Sequence, residues 1–248
     1  MLRLDKLLSH MGYGTRSEIK KLARGGGIMV NGNLVSDTAI KIDPEIDVVV
    51  IGESAVRYRE YVYLMLNKPA GVVSATKDET QETVVDLLSA EYLGFNLFPV
   101  GRLDKDTEGL LLITNDGQLG HQLTSPKKRI AKKYLARLSK PVLANDIEAF
   151  SSGIELDDGL CLPAILKQIT NISPELLINA LQDEFWAEIT LYEGRYHQIK
   201  RMFSKLGNEV CFLKRIAIGG LKLDGSLKSG EYRELRSEEL GLVTQKAT

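Results

Sequence analysis

A chain of 248 residues can bury a substantial core and suits one large domain plus a small one. Its 44% hydrophobic and 26% charged content is that of an ordinary globular protein, which sets aside a disordered chain, and no apolar run approaches membrane-spanning length. Asp5, Lys6 and His10 interrupt the amino terminus where a signal peptide would be apolar, and Cys161 and Cys211 form no metal-ligand spacing, so a cytoplasmic protein with no structural zinc and no disulfide framework is expected.

The net charge of −1 averages over strong segregation. Residues 1–30 carry six Lys or Arg against two acids; residues 127–140 carry seven and none; residues 194–215 carry six against one. Between the last two, residues 141–193 hold one lysine and ten acids. One such run would be a solvated face, but three basic segments on an acidic body predict a polyanionic partner, with phosphate as the anion.

In chain order, Leu4, Leu7, Leu8 and Met11 recur at helical spacing and predict a first helix, broken by Gly12 and Gly14. Thr15-x-x-Glu18 is a capping-box pattern opening a second helix. Ile19, Leu22 and Ala23 face inward in that reading, with Arg16, Lys20, Lys21 and Arg24 on the polar side. After Gly25-Gly26-Gly27, the run Val30-Asn31-Gly32-Asn33-Leu34-Val35 signals a tight hairpin, and Asp47 to Ile51 a further short strand. The polar segment to about Glu60 reads as a linker. Two small helices plus a hairpin thus make a unit at 1–59, ahead of a second domain at 60–248.

In the second domain Tyr61 to Leu66 reads as a strand that Pro69 cannot continue. Thr83 caps a predicted short helix through Leu88. Gln118 to Leu123 reads as a helix, Tyr134 to Leu138 and Trp186 to Tyr192 as strands. Glu193-Gly194 then turns into a helix with Ile199, Met202, Phe203 and Leu206 as its apolar stripe.

The most informative stretch is 101–117, GRLDKDTEGLLLITNDG. A fully apolar strand, Leu110 to Thr114, belongs in the middle of a sheet with both faces covered, so the acidic loop before it sits at a rigid sheet edge. Asp104, flanked by Arg102 and Lys105, is the first candidate for chemistry. The spacing Asp104-x-Asp106-x-Glu108-Gly109 mimics the front of a calcium loop, but Leu110 to Ile113 are apolar where such a loop turns, and Asn115 stands at the closing position. Calcium is excluded; a magnesium ion held by two carboxylates stays open at this point.

This string resembles motif II of the pseudouridine synthases, whose Gly-Arg-Leu-Asp aspartate is catalytic. Asn67-Lys68-Pro69-Ala70-Gly71 resembles motif I, where Lys68 has either a structural role or a phosphate contact. Lys133-Tyr134-Leu135 resembles motif IIa, and Gly194 to Phe203 resembles motif III of the RsuA branch. Arg3-Leu4-Asp5-Lys6, Thr15-Arg16-Ser17 and Val30-Asn31-Gly32 resemble the RNA-binding domain named after small-subunit ribosomal protein S-four. The resemblance spans Arg3 to about Leu235.

It implies an α+β protein: a small N-terminal RNA-binding domain of two helices and a hairpin, then a synthase domain with a mostly antiparallel mixed sheet flanked by helices. It implies conversion of uridine to pseudouridine in ribosomal RNA, 16S first and 23S as the alternative, by a cytoplasmic monomer with no cofactor and no metal. Asp104 would be the catalytic carboxylate, Tyr134 the stacking platform for a flipped base, Lys200 the salt-bridge partner of Asp104, and Arg102 the filler of the vacated stack or a phosphate contact. RNA backbone contacts would come from Arg3, Lys6, Arg16, Lys20, Lys21 and Arg24 in the first domain. Lys127, Lys128, Arg129, Lys132, Lys133, Arg195 and Arg201 would supply them in the second. His197 is assigned a structural hydrogen bond. Two rival classes remain: a non-catalytic RNA-binding factor of ribosome assembly on a retired synthase scaffold, and a metal-dependent nuclease or phosphotransferase using Asp104 and Asp106.

Overall fold

A computed structural model describes residues 1–169 and 185–245, which form two compact units: Met1–Val62 with Leu88–Leu97, and Tyr63–Leu87 with the chain from Phe98 onward. The first unit holds β1 (Leu2–Arg3), α1 (Leu4–His10), α2 (Arg16–Arg24), β2 (Ile28–Val30), β3 (Asn33–Leu34), β4 (Lys41–Ile42), β5 (Val49–Ile51) and β6 (Ser54–Val56). The Thr15–Glu18 capping box is formed in both directions, satisfying two backbone donors of the first turn of α2. Leu4, Leu7, Leu8, Ile19 and Ala23 make the helical side of a core completed by Ile28, Ile42 and Val49. Leu22 departs from the expected inward face and lies at its edge, 37% exposed. The hairpin turns through Asn31 and Gly32, both at positive φ. The supposed linker contains β6, which pairs with β5 and extends this small sheet to the order β3-β2-β5-β6.

Residues 88–97 belong with this unit although they lie between two strands of the other. Phe95 meets the His10 ring edge-on at 5.9 Å, and Arg59 lies over the rings of Tyr92 and Phe95. Gly12 and Gly94 touch backbone to backbone, so a Cβ on either would collide with the other's main chain. The helix expected from Thr83 is absent: Thr83 and Asp86 exchange turn hydrogen bonds, and Thr83 bridges Val73.

The second unit is built on β7 (Tyr63–Lys68), β8 (Phe98–Val100), β9 (Glu108–Thr114), β10 (Lys132–Leu138), β11 (Glu155–Leu156), β12 (Gly159–Leu160), β13 (Ile165–Ile169), β14 (Phe185–Leu191), β15 (Val210–Ile218), β16 (Leu221–Lys222) and β17 (Tyr232–Glu234). Its helices are α3 (Gly117–Thr124), α4 (Ala144–Ser152), α5 (Gln198–Lys205) and α6 (Ser237–Val243). Nine of the strands form one sheet along the path β13-β14-β10-β15-β9-β7-β17, with β16 on β15 and β8 on β9. Every pairing in it is antiparallel except β9 with β15. Strand β9 is central, and Leu110 to Thr114 are buried on both faces, as an unbroken apolar run requires. Leu110 and Leu112 pack with Leu119 and Leu123 of α3 and Val243 of α6. Phe150 of α4 meets Phe203 of α5 with ring centroids 5.0 Å apart.

Candidate active site

The loop between β8 and β9 carries Arg102, Asp104, Lys105 and Asp106, and its backbone is pinned almost residue by residue. The Ser74 hydroxyl donates to the Leu103 carbonyl at 2.9 Å and accepts from its N–H at 3.1 Å. Thr107 N–H donates to the Asp104 carbonyl at 3.0 Å, and Gly71 N–H to that of Lys105 at 2.8 Å. Beneath them lies Lys68, fully buried at the end of β7. Its ammonium donates to the carbonyls of Pro69, Lys105 and Thr107 at 2.9, 3.2 and 3.0 Å, using all three protons. Burial pushes Lys68 down to about 8, partly offset by the nearby carboxylates Asp106, Glu108 and Asp104. Of the two roles open for Lys68, this geometry fits the structural one: the lysine ties β7 to the loop that aims Asp104.

Gly109, the second residue of β9, has positive φ and touches the Arg215 main chain where β9 and β15 run parallel; any side chain there would meet that backbone. The loop opens onto a cavity of about 720 Å³ lined by Ser74, Arg102, Asp104, Lys132, Tyr134, Arg195, His197, Lys200 and Arg215 among others. Such a volume suits one nucleotide-sized ligand. Tyr134, only 8% exposed, stands on β10 between Ile189 of β14 and Arg215 of β15.

Asp104 has one oxygen 3.6 Å from His197 Nε2 and the other 3.8 Å from Lys200 Nζ. Lys200 therefore faces Asp104 but is committed elsewhere: it donates to both oxygens of Asp106 at 2.6 and 2.7 Å. The expected Lys200–Asp104 salt bridge is thus a longer contact than the one to Asp106. A lysine is a point charge that two carboxylates can share, and the more exposed Asp106 reaches it first. The Lys200 hydrogen bond holds the Asp106 carboxyl below its ordinary range. His197 sits one residue before α5 in the left-handed region, φ 48°, and its ring stacks on Tyr196 with centroids 3.8 Å apart. The assigned structural hydrogen bond understates it, because the imidazole faces the aspartate.

The candidate RNA contacts divide into two groups. Lys6, Arg16, Lys20, Lys21, Arg24, Lys127, Lys128 and Arg129 are exposed. Others have protein partners: Arg3 pairs with Asp5 at 2.7 Å and Lys133 with Glu188 at 3.1 Å. Arg201 pairs with Asp158 at 2.6 Å. Arg195 bonds Glu193 and the carbonyls of Gly159 and Leu160, which fastens the loop before α5 to the β11–β12 hairpin. Gln198, buried, completes this knot through Arg195 N–H and Glu193. Lys132 and Arg215 line the cavity itself. Among the described residues no cluster of three or more His, Cys, Asp or Glu could hold a metal, and no helix is long and apolar enough to cross a membrane.

A pinned acidic loop at the edge of a central sheet thus presents a carboxylate to a cavity with an aromatic wall. The family model for RNA pseudouridylate synthases matches residues 62–205, and that for the S4 domain matches residues 2–48. The chain belongs to the RNA pseudouridylate synthase family and is an isomerase of that class.

Its similarity to particular members runs end to end. It is 45% identical over 245 residues to the RNA pseudouridine synthase YtzG of Bacillus subtilis, covering 98% of this chain and 99% of that one. It is 39% identical over 244 residues to ribosomal small subunit pseudouridine synthase A of Escherichia coli K12, covering 98% and 100%. A solved pseudouridylate synthase structure superposes with TM-score 0.64 at 37% identity, covering 98% of this chain and 100% of that one.

Proposed function

We propose that this enzyme converts a uridine of small-subunit ribosomal RNA to pseudouridine, with Asp104 as the catalytic carboxylate. The observation that carries the assignment of Asp104 is its position: the loop's backbone is anchored at Leu103, Asp104 and Lys105, which leaves the carboxylate as the group offered to the cavity. Such anchoring holds the reacting atom in place without an ordering cost at each turnover. The flipped base stacks on Tyr134, where an aromatic ring replaces the neighbours it leaves in the RNA. His197 and Lys200 stand beside the carboxylate, 3.6 and 3.8 Å from its two oxygens, and Arg102 at the rim meets the RNA strand.

Lys6, Arg16, Lys20, Lys21, Arg24, Lys127, Lys128 and Arg129 supply the phosphate contacts, since they are exposed and no acid among the described residues pairs with them. The first unit, which takes in residues 88–97 besides the expected 1–59, brings affinity and site choice, and the second the chemistry, in a monomer acting in the cytoplasm. The reaction only rearranges atoms, so it asks for no cofactor. The small-subunit assignment leans on the full-length likeness to the Escherichia coli enzyme.

The test is incubation of the protein, without metal, with 16S or 23S rRNA tritiated at uridine carbon 5. Release of tritium from 16S rRNA alone is expected. Release from 23S rRNA alone would move the substrate, and tight binding of both with no release would replace the enzyme by a binding factor.

A further inference from the structure

Two cations that the sheet strands bring to the cavity wall have no acid partner among the described residues. Arg215 stands on β15 directly opposite Tyr134, so the two side chains leave the same face of the sheet. It is 2% exposed; its Nε donates to the Leu110 carbonyl at 2.7 Å, while its buried Nη2 has no partner among the described residues. Lys132 lies two residues before Tyr134 on β10, hence on that face too, and its hydrogen bond is a long one, 3.4 Å to the Ile130 carbonyl. Burial, and then the Arg215 charge, push Lys132 down to about 8. A buried donor without an acceptor and a desolvated lysine beside a second cation are both costly, and an anion entering the cavity would relieve both.

The choice of anion follows from depth. A backbone phosphate is held between two sugars along the RNA surface and meets the exposed Lys127, Lys128 and Arg129 first. The part of a nucleotide that reaches a buried guanidinium next to the stacking tyrosine is the base. Uracil is neutral while attached, but breaking the N1–C1′ bond leaves the electron pair on the ring, spread over N1, O2 and O4.

We propose that Arg215 Nη2 and Lys132 Nζ form a receptor for the uracil anion, holding its carbonyl edge between glycosidic cleavage and reattachment. The proposal rests on the synthase reading above. The atoms balance: N1–C1′ breaks with its pair to uracil, and the Asp104 carboxylate either bonds C1′ or takes the ribose C2′ proton. The ring turns and C5 bonds C1′, displacing the Asp104 oxygen where it was bonded; the C5 proton leaves to solvent, N1 regains one, and any C2′ proton taken is returned. Donors aimed at charge that exists only after cleavage raise kcat and leave ground-state binding nearly untouched.

The test compares wild type with Lys132→Gln, and with Arg215→Lys as a second variant that keeps a buried cation. Two pyrimidines are titrated: uracil, neutral at pH 7, and barbiturate, the same ring shape as an anion. Inorganic phosphate is the competitor. Wild type should bind barbiturate about tenfold tighter than uracil, the scale of one charge-assisted hydrogen bond, and Lys132→Gln should erase that preference. On rRNA, Lys132→Gln should lose about 10²-fold in kcat with KM within twofold, as for removal of a donor to developing charge.

Equal binding of the two pyrimidines by wild type would overturn the proposal, as would a preference that survives in Lys132→Gln. Competition by phosphate that Lys132→Gln abolishes would assign the pair to the RNA backbone instead. Pseudouridine formation with unchanged kcat in Lys132→Gln would sink this inference alone. A wild type that prefers barbiturate yet forms no pseudouridine would overturn the synthase reading and support the anion receptor by itself.

Discussion

Helices α2 and α5 look alike in sequence, each a short amphipathic segment studded with Lys and Arg, yet their charges meet opposite fates. On α2, Arg16, Lys20, Lys21 and Arg24 are exposed, and the adjacent Glu18 is spent on capping the helix. At α5, Lys200 is held by Asp106, Arg201 by Asp158, and Arg195 by Glu193 and two carbonyls. The acids that hold the helix's own cations, Asp106 and Asp158, lie 94 and 43 positions away, so no count along the helix could show them. A cation cluster is therefore an offer to a polyanion only where the rest of the fold leaves it unclaimed. Elsewhere it is internal scaffolding.

The sharpest way to break this contrast is at the carboxylate that α5 faces. Asp104→Asn should lower pseudouridine formation by about 10³-fold or more, the scale of a positioned acid–base or nucleophilic group, with rRNA binding kept in a filter assay. Loss of binding in step with activity would make Asp104 a structural residue.

Next in size, Arg195→Ala should cost about 2–3 kcal/mol by denaturant unfolding, because Glu193 and two carbonyls lose their donor together. The corresponding losses on α2 should be negligible: Lys20→Ala or Lys21→Ala within about 0.5 kcal/mol.

A pH profile then separates stability from activity. Folded Lys68 and Lys132 release protons near 8, against 10.5 as their ordinary value. Between these two pH values the unfolded chain binds more protons, so stability rises with pH across that window. Activity should move the other way, falling up to tenfold per unit above about 8 as Lys132 loses its charge. Lys132→Arg should remove that limb; a limb unchanged by it belongs to another group.

Replacing Arg16, Lys20 and Lys21 by Gln should reduce the salt slope of rRNA binding by about 2, at roughly 0.7 to 0.9 for each phosphate no longer neutralised, with kcat unchanged at saturating RNA. An unchanged slope would remove α2 from the RNA interface. Smallest, Thr15→Ala should cost the first unit about 1 kcal/mol of unfolding free energy through loss of its cap.

Much of the architecture was legible because its signals are periodic and local. The apolar stripe of α1, the capping box of α2, the Asn31-Gly32 turn and the unbroken Leu110 to Ile113 run each specify one conformation from a few neighbouring residues. The failures share the opposite property. Thr83 has the chemistry of a helix cap, but its own turn with Asp86 and its bridge to Val73 take up the same groups. Strand β6 was hidden in a polar stretch whose pairing depends on β5.

In the site, Asp104, Arg102 and Tyr134 could be placed from ordered motifs. The Asp106 claim on Lys200 could not, since it depends on a side chain 94 positions away. Arg215 did leave a trace: it shares strand parity with the buried Leu213, two residues before it, which turns an arginine there toward the same covered face.

The placement of residues 88–97 bears on how this gene could be cut. The chain passes between its two units three times, after Val62, Leu87 and Leu97. A fragment ending at Val62 would lack Phe95 and Tyr92, and with them the rings that Arg59 and His10 cover. A fragment starting at Tyr63 would carry that same aromatic segment stripped of its partners, a sticky loop on an otherwise finished enzyme. Swapping RNA-recognition modules between relatives would therefore require grafting two separate stretches of sequence.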